Sequence, residues 1–258
     1  MITYRKVKGL KIACFIGNGM IDDGKKSLIF IAGSGQDHTA WINQLTALGK
    51  DFNVVGLDLP GHGASEGKGE QSVDAYVEWV KSVIESLAIR KPVLIGHSLG
   101  GAICLAFALK YGESLSGIVP LGSGVRMPVN PMIFDLLKND PDALAAMTWK
   151  WSVAKTNRER LAPYFAARQS KSNPDVTYGD FLACDQFDIS ETVSQIAVPT
   201  LIICGAEDKM TPPSLTEFLK ERIAGSQIQV IPHTGHLVMI EDVDAFNGTL
   251  KSFVNSLF

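Results

Sequence analysis

Residues 96–100 read Gly-His-Ser-Leu-Gly and place Ser98 between two glycines. The segment directly follows the apolar run 92–95 and opens a stretch rich in alanine and leucine at 99–110. A strand, a tight turn and a helix in this order are typical of a nucleophile elbow, whose glycines prevent side chains from colliding where strand and helix converge. We therefore predict that Ser98 is a catalytic nucleophile. The alternative is a glycine-rich helix start at which Ser98 only caps the helix.

A serine hydroxyl needs a base to remove its proton, and the base needs an acid to orient it. In an elbow enzyme the acid and then a histidine follow the serine along the chain, on loops after later strands. Only His233 and His236 lie downstream of Ser98. His236 stands beside a glycine, between a predicted strand and the last helix, and is the predicted base. His233 follows Pro232 and is expected to shape that loop or to stay exposed.

Two neighbouring carboxylates are candidates for the orienting acid. Asp208 and Glu207 both follow the predicted strand 199–204, at its carboxyl end. Their side chains are expected to point in different directions, but the residues alone do not decide between them. At this stage the acid is open between the two.

The elements that must position these residues alternate in type along the chain. Residues 2–17 are predicted to form an antiparallel hairpin that turns near Gly9. Short apolar runs then have the length and β-branched content of strands buried on both faces, at 27–32, 52–57, 92–96, 115–121, 199–204 and 226–231. Amphipathic stretches between them are predicted helices, at 39–49, 73–88, 99–110, 212–223 and 242–256. This alternation predicts an α/β fold with a doubly wound, mostly parallel sheet, whose ligands bind at the carboxyl ends of the strands.

Residues 124–190 interrupt the alternation. They are helical in pattern, contain no convincing strand and are punctuated by prolines. We therefore predict a helical lid at 124–190, inserted into a core formed by residues 1–123 and 191–258.

The predicted lid carries more apolar mass than a solvated insertion needs. More than half of its large apolar side chains are expected to pack the lid onto the core, and the others to roof a substrate pocket. Met132, Phe134, Trp149 and Trp151 are the predicted substrate contacts. An apolar acyl or aryl group fits such a roof better than a sugar or a phosphate.

The lid also carries cations that could bind a substrate carboxylate. Their near-helical spacing among polar residues is more typical of an exposed face. They are Lys150, Lys155, Arg158, Arg160 and Arg168.

Several motifs together resemble those of α/β hydrolases. They are Gly-His-Ser-Leu-Gly-Gly at 96–101, Gly-x-x-Asp before Thr-Pro at 205–212, Gly-His at 235–236, and Asp-Leu-Pro-Gly-His-Gly-Ala-Ser at 58–65. The similarity spans nearly the whole chain outside the lid. It implies the α/β-hydrolase fold and a triad of Ser98, Asp208 and His236, with Glu207 a bystander. A serine nucleophile argues against the dehalogenase and epoxide-hydrolase branches, which attack with aspartate.

Asp58 and His62 lie in the last of these motifs. Both precede Ser98 along the chain, which is the wrong order for members of the triad. They are expected to form a hydrogen-bonded loop beside the site.

A tetrahedral intermediate needs N–H donors for its oxyanion. Leu99, the residue after the nucleophile, supplies one backbone N–H. The resemblance places the second donor after strand 27–32, where relatives usually carry His-Gly-x, so the Ser34 N–H of Ala-Gly-Ser at 32–34 is the predicted donor. Because the donor is main chain, Ala32 does not remove the hole, but the loop then needs other support. Candidates for that support are Gln36, Asp37 and His38.

The bulk composition excludes several kinds of partner. The 24 basic and 27 acidic residues nearly balance, so neither nucleic acid nor an anionic membrane surface is indicated. No apolar stretch is long enough to span a bilayer, and the N-terminus lacks the pattern of a secretory leader. The four cysteines lie far apart without metal or redox spacing, which predicts buried thiols in a cytoplasmic protein. No metal or cofactor is predicted, the expected partner is a small molecule, and no oligomeric state is predicted.

These features favour a serine hydrolase that cleaves a small apolar carboxylic ester through an acyl-enzyme intermediate. The same triad can hydrolyse a carbon–carbon bond, an enol lactone or a thioester, so these alternatives stay open. From another class, a ligand receptor on a hydrolase scaffold would use binding with slow or absent turnover to move its lid.

Overall fold

The computed structural model describes residues 1–166 and 173–257. Its strands are β1 Ile2–Val7, β2 Leu10–Ile16, β3 Ser27–Ile31, β4 Asn53–Leu57, β5 Val93–His97, β6 Gly117–Leu121, β7 Leu201–Gly205 and β8 Gln227–Ile231. They form one sheet in the order β1-β2-β4-β3-β5-β6-β7-β8. The hairpin β1–β2 and the pair β2–β4 are antiparallel, and all other neighbouring pairs are parallel. The predicted mostly parallel sheet is confirmed.

Helices cover both faces of this sheet. Those of the core are α1 Ile42–Leu48, α2 Val73–Ser86, α3 Leu99–Tyr111, α8 Pro213–Arg222, α9 Val238–Glu241 and α10 Val243–Ser256. Four predicted helices agree with the structure to within two residues at each end. The fifth, at 39–49, divides into a 3-10 turn at His38–Trp41 and the helix α1.

Two hydrophobic cores lie on opposite faces of the sheet. Because side chains alternate along a strand, Ile29 and Ile31 of β3 pack with α2 and α3, whereas Leu28 and Phe30 pack with α1 and α10. The central strands are therefore apolar at successive positions, which explains the continuous apolar runs of the sequence. The sheet is held rigidly, and its loops can position a site.

Four further helices lie between β6 and β7, and we call them the insertion. They are α4 Pro131–Asn139, α5 Pro141–Ser152, α6 Arg158–Ala166 and α7 Pro174–Asp185. Among its described residues the insertion has no strand, apart from an isolated bridge that pairs Arg126 with Asp188 at its base.

Three prolines of the insertion mark helix starts. Helices α4, α5 and α7 each begin with a proline, and the preceding Asn130, Asp140 or Asn173 caps an N–H of the first turn. Ile133, Leu137 and Leu144 form a small core between α4 and α5. The insertion is thus a helical unit with an apolar centre of its own.

Across the described residues, every helix is too short or too polar to cross a membrane. All four cysteines are buried and none is in a disulfide, so the prediction of buried thiols is confirmed.

Candidate active site

Ser98 stands at the turn between β5 and α3 with φ +54° and ψ −114°. This left-handed conformation is strained for a residue with a side chain and persists only where its surroundings enforce it. A Cβ on Gly96 would lie 2.0 Å from the Gly100 carbonyl oxygen, and a Cβ on Gly100 would lie 2.3 Å from that of Ile31. The predicted steric reason for both glycines is confirmed.

His236 and Asp208 reach the same end of the sheet from the loops after β8 and β7. His236 Nδ1 lies 2.8 Å from Asp208 Oδ2. The Thr211 hydroxyl donates to the same oxygen at 2.8 Å and lies 3.0 Å from His236 Nδ1. Asp208 Oδ1 accepts the N–H groups of Met210 and Thr211.

These contacts keep Asp208 ionised and select the tautomer of His236. Burial alone would raise the pKa of Asp208, but the charge and hydrogen bond of His236, with the donors of Thr211, lower it below its usual value. An ionised carboxylate only accepts, so His236 carries its proton on Nδ1 and Nε2 is left as an acceptor. Nε2 makes no hydrogen bond to any described residue, and His236 and Ser98 line the same cavity. The Ser98 hydroxyl and Nε2 are therefore not yet hydrogen-bonded, as is common before substrate binds.

The two downstream alternatives lie outside this arrangement. Glu207 is exposed, and its N–H is bound to the Thr234 carbonyl. His233 is exposed with φ +58°, so it shapes the turn after β8. Of the candidate pairs, the structure brings together Asp208 and His236.

Sequence reasoning gave no role to two buried groups beside His236. The His97 ring lies 4.5 Å from the His236 ring, and its Nε2 donates to the His236 carbonyl at 3.0 Å. Burial, with the neighbouring charge of His236, holds the pKa of His97 well below its usual value, so His97 stays neutral.

Glu241 is the second group. Its Oε1 accepts the N–H groups of Gly235 and Leu237, on either side of His236, at 2.8 and 3.3 Å. Its Oε2 accepts the Ala154 N–H, just beyond α5, at 2.8 Å. The position of Glu241, directly after the apolar run 237–240, was the signal that could have identified this clamp.

The two predicted oxyanion donors are the N–H groups of Leu99 and Ser34. Leu99 is the first residue of α3, so no carbonyl precedes its N–H by one turn. Among the described residues, neither the Leu99 nor the Ser34 N–H has a hydrogen-bond acceptor. A Cβ on Gly33 would lie 3.3 Å from Ser98 Cβ, so the Ser34 loop passes close to the serine.

Support for this loop comes mainly from a residue that the sequence analysis missed. Asp180 of α7 accepts the Gly35 N–H at 2.8 Å. Of the expected supports, Gln36 reaches the Gly33 N–H only at 3.4 Å, Asp37 caps Thr39, and His38 binds Asp58.

With this geometry established, comparison with known proteins gives the family. Residues 28–249 match the model of the alpha/beta hydrolase family. The chain belongs to that family. A 2-hydroxymuconate semialdehyde hydrolase of a Pseudomonas species is 28% identical over 270 residues, which cover 94% of this chain and 92% of that protein.

Solved structures agree with this assignment. A thermophilic esterase is 32% identical with a TM-score of 0.83, and the match covers 100% of this chain and 98% of that one. An enol-lactonase from Burkholderia xenovorans has a TM-score of 0.90 at 23% identity over 98% of this chain and 100% of that one, and this likeness shows the fold.

The cavity of the hydrolase has a volume of about 530 Å³ and lies between the ends of the strands and the insertion. One face of α5 lines it through Ala145, Thr148, Trp149 and Ser152, which recur at helical spacing. Helix α7 adds Pro174, Thr177 and Phe181. The insertion therefore supplies much of the wall opposite Ser98.

Of the four side chains predicted to contact substrate, only Trp149 lines the cavity. Met132 is 39% exposed, and Phe134 packs on Tyr178 of α7 at 5.2 Å. Trp151 follows Trp149 by two residues, which is about 200° around a helix, so the two cannot share a face. Met132, Phe134 and Trp151 thus lie outside the cavity wall, which corrects their prediction as substrate contacts.

Two carboxylates, Asp37 and Asp142, line the cavity. The described lining residues include no lysine or arginine, and their histidines are His62, His97 and His236. Lys150, Lys155 and Arg160 are exposed, and Arg158 donates to the Val153 carbonyl. Arg168 lies outside the described residues.

Within the described chain, one group of side chains has the types and proximity of metal ligands, namely Asp37, His38 and Asp58. Asp58 accepts the His38 N–H at 2.7 Å, the His38 ring at 2.9 Å and the Ala64 N–H at 3.0 Å. Asp58 thus serves as a buried acceptor that ties two loops of the hydrolase together, the role expected from the sequence.

Proposed function

We propose that this hydrolase cleaves neutral carboxylic esters with an apolar acyl group, and that the insertion serves as its lid. The observation that carries the proposal is the meeting of Ser98, strained at its elbow, with His236 at one cavity. His236 Nδ1 lies 2.8 Å from the buried Asp208 carboxylate, which is the arrangement that a general base requires. The 32% identical structure is that of a thermophilic esterase, which also supports the proposal.

In the acylation step, Ser98 Oγ attacks the acyl carbon while His236 Nε2 takes the hydroxyl proton. The carbonyl electron pair moves to oxygen, and the N–H groups of Ser34 and Leu99 hold the resulting oxyanion. When the carbonyl re-forms, the bond to the alcohol oxygen breaks, and that oxygen receives the proton from Nε2.

Deacylation repeats these steps with water. Nε2 takes a proton from the water as its oxygen attacks the acyl carbon, and then returns the proton to Ser98 Oγ as the acid leaves. Asp208 stays ionised throughout, because its lowered pKa keeps it an acceptor for the imidazolium formed at each step.

The cavity wall supports a neutral substrate over an anionic one. Burying a carboxylate without a cationic partner is strongly unfavourable. The described wall has no lysine or arginine, and its His62 is already paired with the Asp180 carboxylate. The aromatic ring of Trp149 and the apolar side chains of Leu137, Leu144 and Phe181 suit an acyl chain.

The relative named 2-hydroxymuconate semialdehyde hydrolase is the reason to keep carbon–carbon hydrolysis as a second candidate. The same serine, base and oxyanion hole could serve that reaction. A panel of neutral esters, lactones, thioesters and dienone acids compares the candidates by kcat/KM. The proposal expects neutral esters to give the highest values.

The nucleophile is tested by Ser98→Ala. Turnover of p-nitrophenyl butyrate should fall by at least about a thousandfold, since removal of a catalytic serine leaves only the binding and oxyanion contributions. A fluorophosphonate should label the wild type and not the variant. Ser116→Ala, which changes a partly exposed serine outside the cavity wall, is the control and should keep wild-type rates. Equal activity of Ser98→Ala and the wild type would refute the mechanism.

Substrate charge is tested with p-nitrophenyl butyrate and mono-p-nitrophenyl succinate, which have acyl chains of the same length. We expect kcat/KM for the anionic ester to be at least about tenfold lower, because one unpaired charge at the wall costs more than about 1.4 kcal/mol. Asp142→Asn should reduce the ratio of kcat/KM for the neutral ester to kcat/KM for the anionic ester. A preference for the anion would reject the neutral-substrate proposal.

A further inference from the structure

The carboxylate of Asp180 is fully buried and joins three separate parts of the core. Oδ2 accepts the Gly35 N–H and His62 Nε2, both at 2.8 Å, and Oδ1 accepts the Tyr76 hydroxyl at 2.5 Å. Gly35 lies in the loop after β3, His62 in the loop after β4, and Tyr76 on α2. Asp180 itself belongs to α7 of the insertion.

His62 provides the positive charge that this carboxylate needs. Its Nδ1 lies 3.0 Å from the Pro60 carbonyl oxygen and its Nε2 faces Asp180, so both ring nitrogens meet acceptors. A neutral imidazole has a single N–H and satisfies only one of them, whereas the imidazolium satisfies both. Burial lowers the pKa of His62, but the hydrogen bond and charge of Asp180 outweigh it, and the pKa is raised.

The Gly35 N–H is the link to catalysis. It belongs to the peptide that follows Ser34, whose own N–H is a proposed oxyanion donor, and Gly35 has φ +67°. The bond to Asp180 sets the plane of the Ser34–Gly35 peptide, which joins the peptide carrying the Ser34 N–H at the Ser34 Cα. The Ser34 N–H has no acceptor among the described residues. The other side-chain contact to this backbone, from Gln36, is longer at 3.4 Å.

We propose that Asp180 is a positioning residue for the oxyanion hole, and that this carboxylate of the insertion holds the Ser34–Gly35 backbone in the geometry that binds the transition state. The inference rests on the proposed function, because it assumes that the Ser34 N–H binds an oxyanion. It makes the seating of α7 against the core a condition for catalysis.

The arrangement also predicts a loss of activity at alkaline pH. The titratable groups facing His62 are Asp180 from α7, Tyr76 from α2 and Asp58 from its own loop. Burial, together with the charge of Asp180, raises the pKa of Tyr76, so this phenol stays neutral. As pH rises through the raised pKa of His62, the ring loses a proton and a lone pair comes to face an acceptor. The hold on Gly35 then weakens and kcat falls.

The main test is Asp180→Asn with p-nitrophenyl butyrate. We expect kcat to fall about 10- to 100-fold with KM within about threefold, because a misplaced oxyanion donor weakens the transition state more than the bound ester. The matched control is Asp185→Asn on the same helix, where an exposed carboxylate accepts the Val129 N–H away from the cavity wall. It should keep wild-type kcat. Wild-type kcat in Asp180→Asn would overturn the inference.

His62→Gln gives a second test that does not depend on how well Asp180→Asn folds. A glutamine amide still donates to Asp180 but does not titrate, so the alkaline decline of kcat should disappear. Persistence of the decline in this variant would overturn the inference.

The Ser98→Ala variant distinguishes a failure of the proposed function from a failure of the Asp180 role. If it keeps activity, the proposed function fails. If it is inactive while Asp180→Asn has wild-type kcat, only the positioning role of Asp180 fails.

Discussion

At the scale of the residue, Thr211 contacts both Asp208 and His236. Its hydroxyl donates to Asp208 Oδ2 and lies 3.0 Å from His236 Nδ1, while its N–H donates to Asp208 Oδ1. The carboxylate is thus held at both oxygens, with Oδ2 facing His236. A hydrogen bond to a charged group contributes about 1.5–3 kcal/mol. Loss of this hydroxyl should therefore loosen Asp208 and, through it, the orientation of the His236 ring.

We expect Thr211→Val to lower kcat for p-nitrophenyl butyrate by about tenfold, the equivalent of about 1.4 kcal/mol. The reason is that Asp208 loses a donor and gains freedom to rotate away from His236. Steady-state kinetics of Thr211→Val and Thr211→Ser check this, because serine keeps the hydroxyl and should stay within about threefold of the wild type. Equal losses in both variants would show that the methyl group matters, and not the hydroxyl.

At the scale of the element, the crossing of β5, α3 and the loop after β3 sets the position of Ser98. A Cβ placed on Gly96 or on Gly100 would collide first with a backbone carbonyl oxygen, which cannot rotate aside as a side chain can. Any Cβ at these positions must therefore move α3 relative to the sheet. The strain at Ser98 is maintained by this crossing, with its N–H bound to the Leu121 carbonyl of β6 at 2.8 Å.

Gly96→Ala should destabilise the protein strongly, because its Cβ would lie 2.0 Å from the Gly100 carbonyl oxygen. We expect a loss of about 3 kcal/mol or more, at the upper end of overpacking effects. At about 2–4 °C per kcal/mol this is a fall in Tm of at least about 6 °C, measurable by thermal unfolding.

The control for Gly96→Ala is Gly112→Ala at the end of α3. Gly112 has helical angles, φ −53° and ψ −38°, and a Cβ there would meet nothing within 4 Å. Alanine should therefore be neutral or add about 0.4–1 kcal/mol. Similar losses in the two variants would mean that the crossing does not limit residue size at position 96.

At the scale of the whole molecule, buried histidines couple its stability to pH in opposite senses. The hydrogen bond of Asp58 raises the pKa of His38, and the raised pKa of His62 has the origin given above. The stabilisation that each of these two histidines contributes is complete below the pKa of histidine in the unfolded chain, about 6.5. It is lost as the pH rises through the raised pKa of each histidine in the folded protein. Burial lowers the pKa of His97, so His97 takes up a proton in the unfolded chain first and destabilises the fold as pH drops below about 6.5.

Asp208 acts further down the pH scale. Because its pKa is lowered in the folded protein, Asp208 stabilises the fold above its unfolded pKa of 3.8. This stabilisation is lost as the pH falls through its pKa in the folded protein. Since stability falls toward both acid and alkaline pH, we expect it to be greatest near pH 6.5, the pKa of histidine in the unfolded chain.

We expect the free energy of unfolding in urea to be highest at about pH 6.5 and lower at about pH 5 and pH 8.5. His38→Gln should flatten the alkaline side, because that variant loses one of the two raised groups. His233→Asn is the control, since His233 is exposed and asparagine tolerates its positive φ. A stability that rises steadily from pH 5 to 8.5 would contradict this account.

The sequence by itself determined the elements and the elbow. Apolar periodicity located the strands, because a strand buried on both faces must be apolar throughout and a covering helix must carry one apolar stripe. Glycines at 96 and 100 predicted the tight turn, because the steric need for them is local. The chain order of serine, acid and histidine then limited the base to two residues and the acid, by position, to another two.

The tertiary structure decided which side chains meet. Asp208 and not Glu207 contacts His236, Trp149 and not Trp151 lines the cavity, and Glu241 and Asp180 hold the two loops of the site. The last contact joins residues 145 positions apart. Such contacts depend on how each helix is rotated and seated against the sheet. That rotation is set by the packing of all the elements together, and no local pattern in the sequence encodes it.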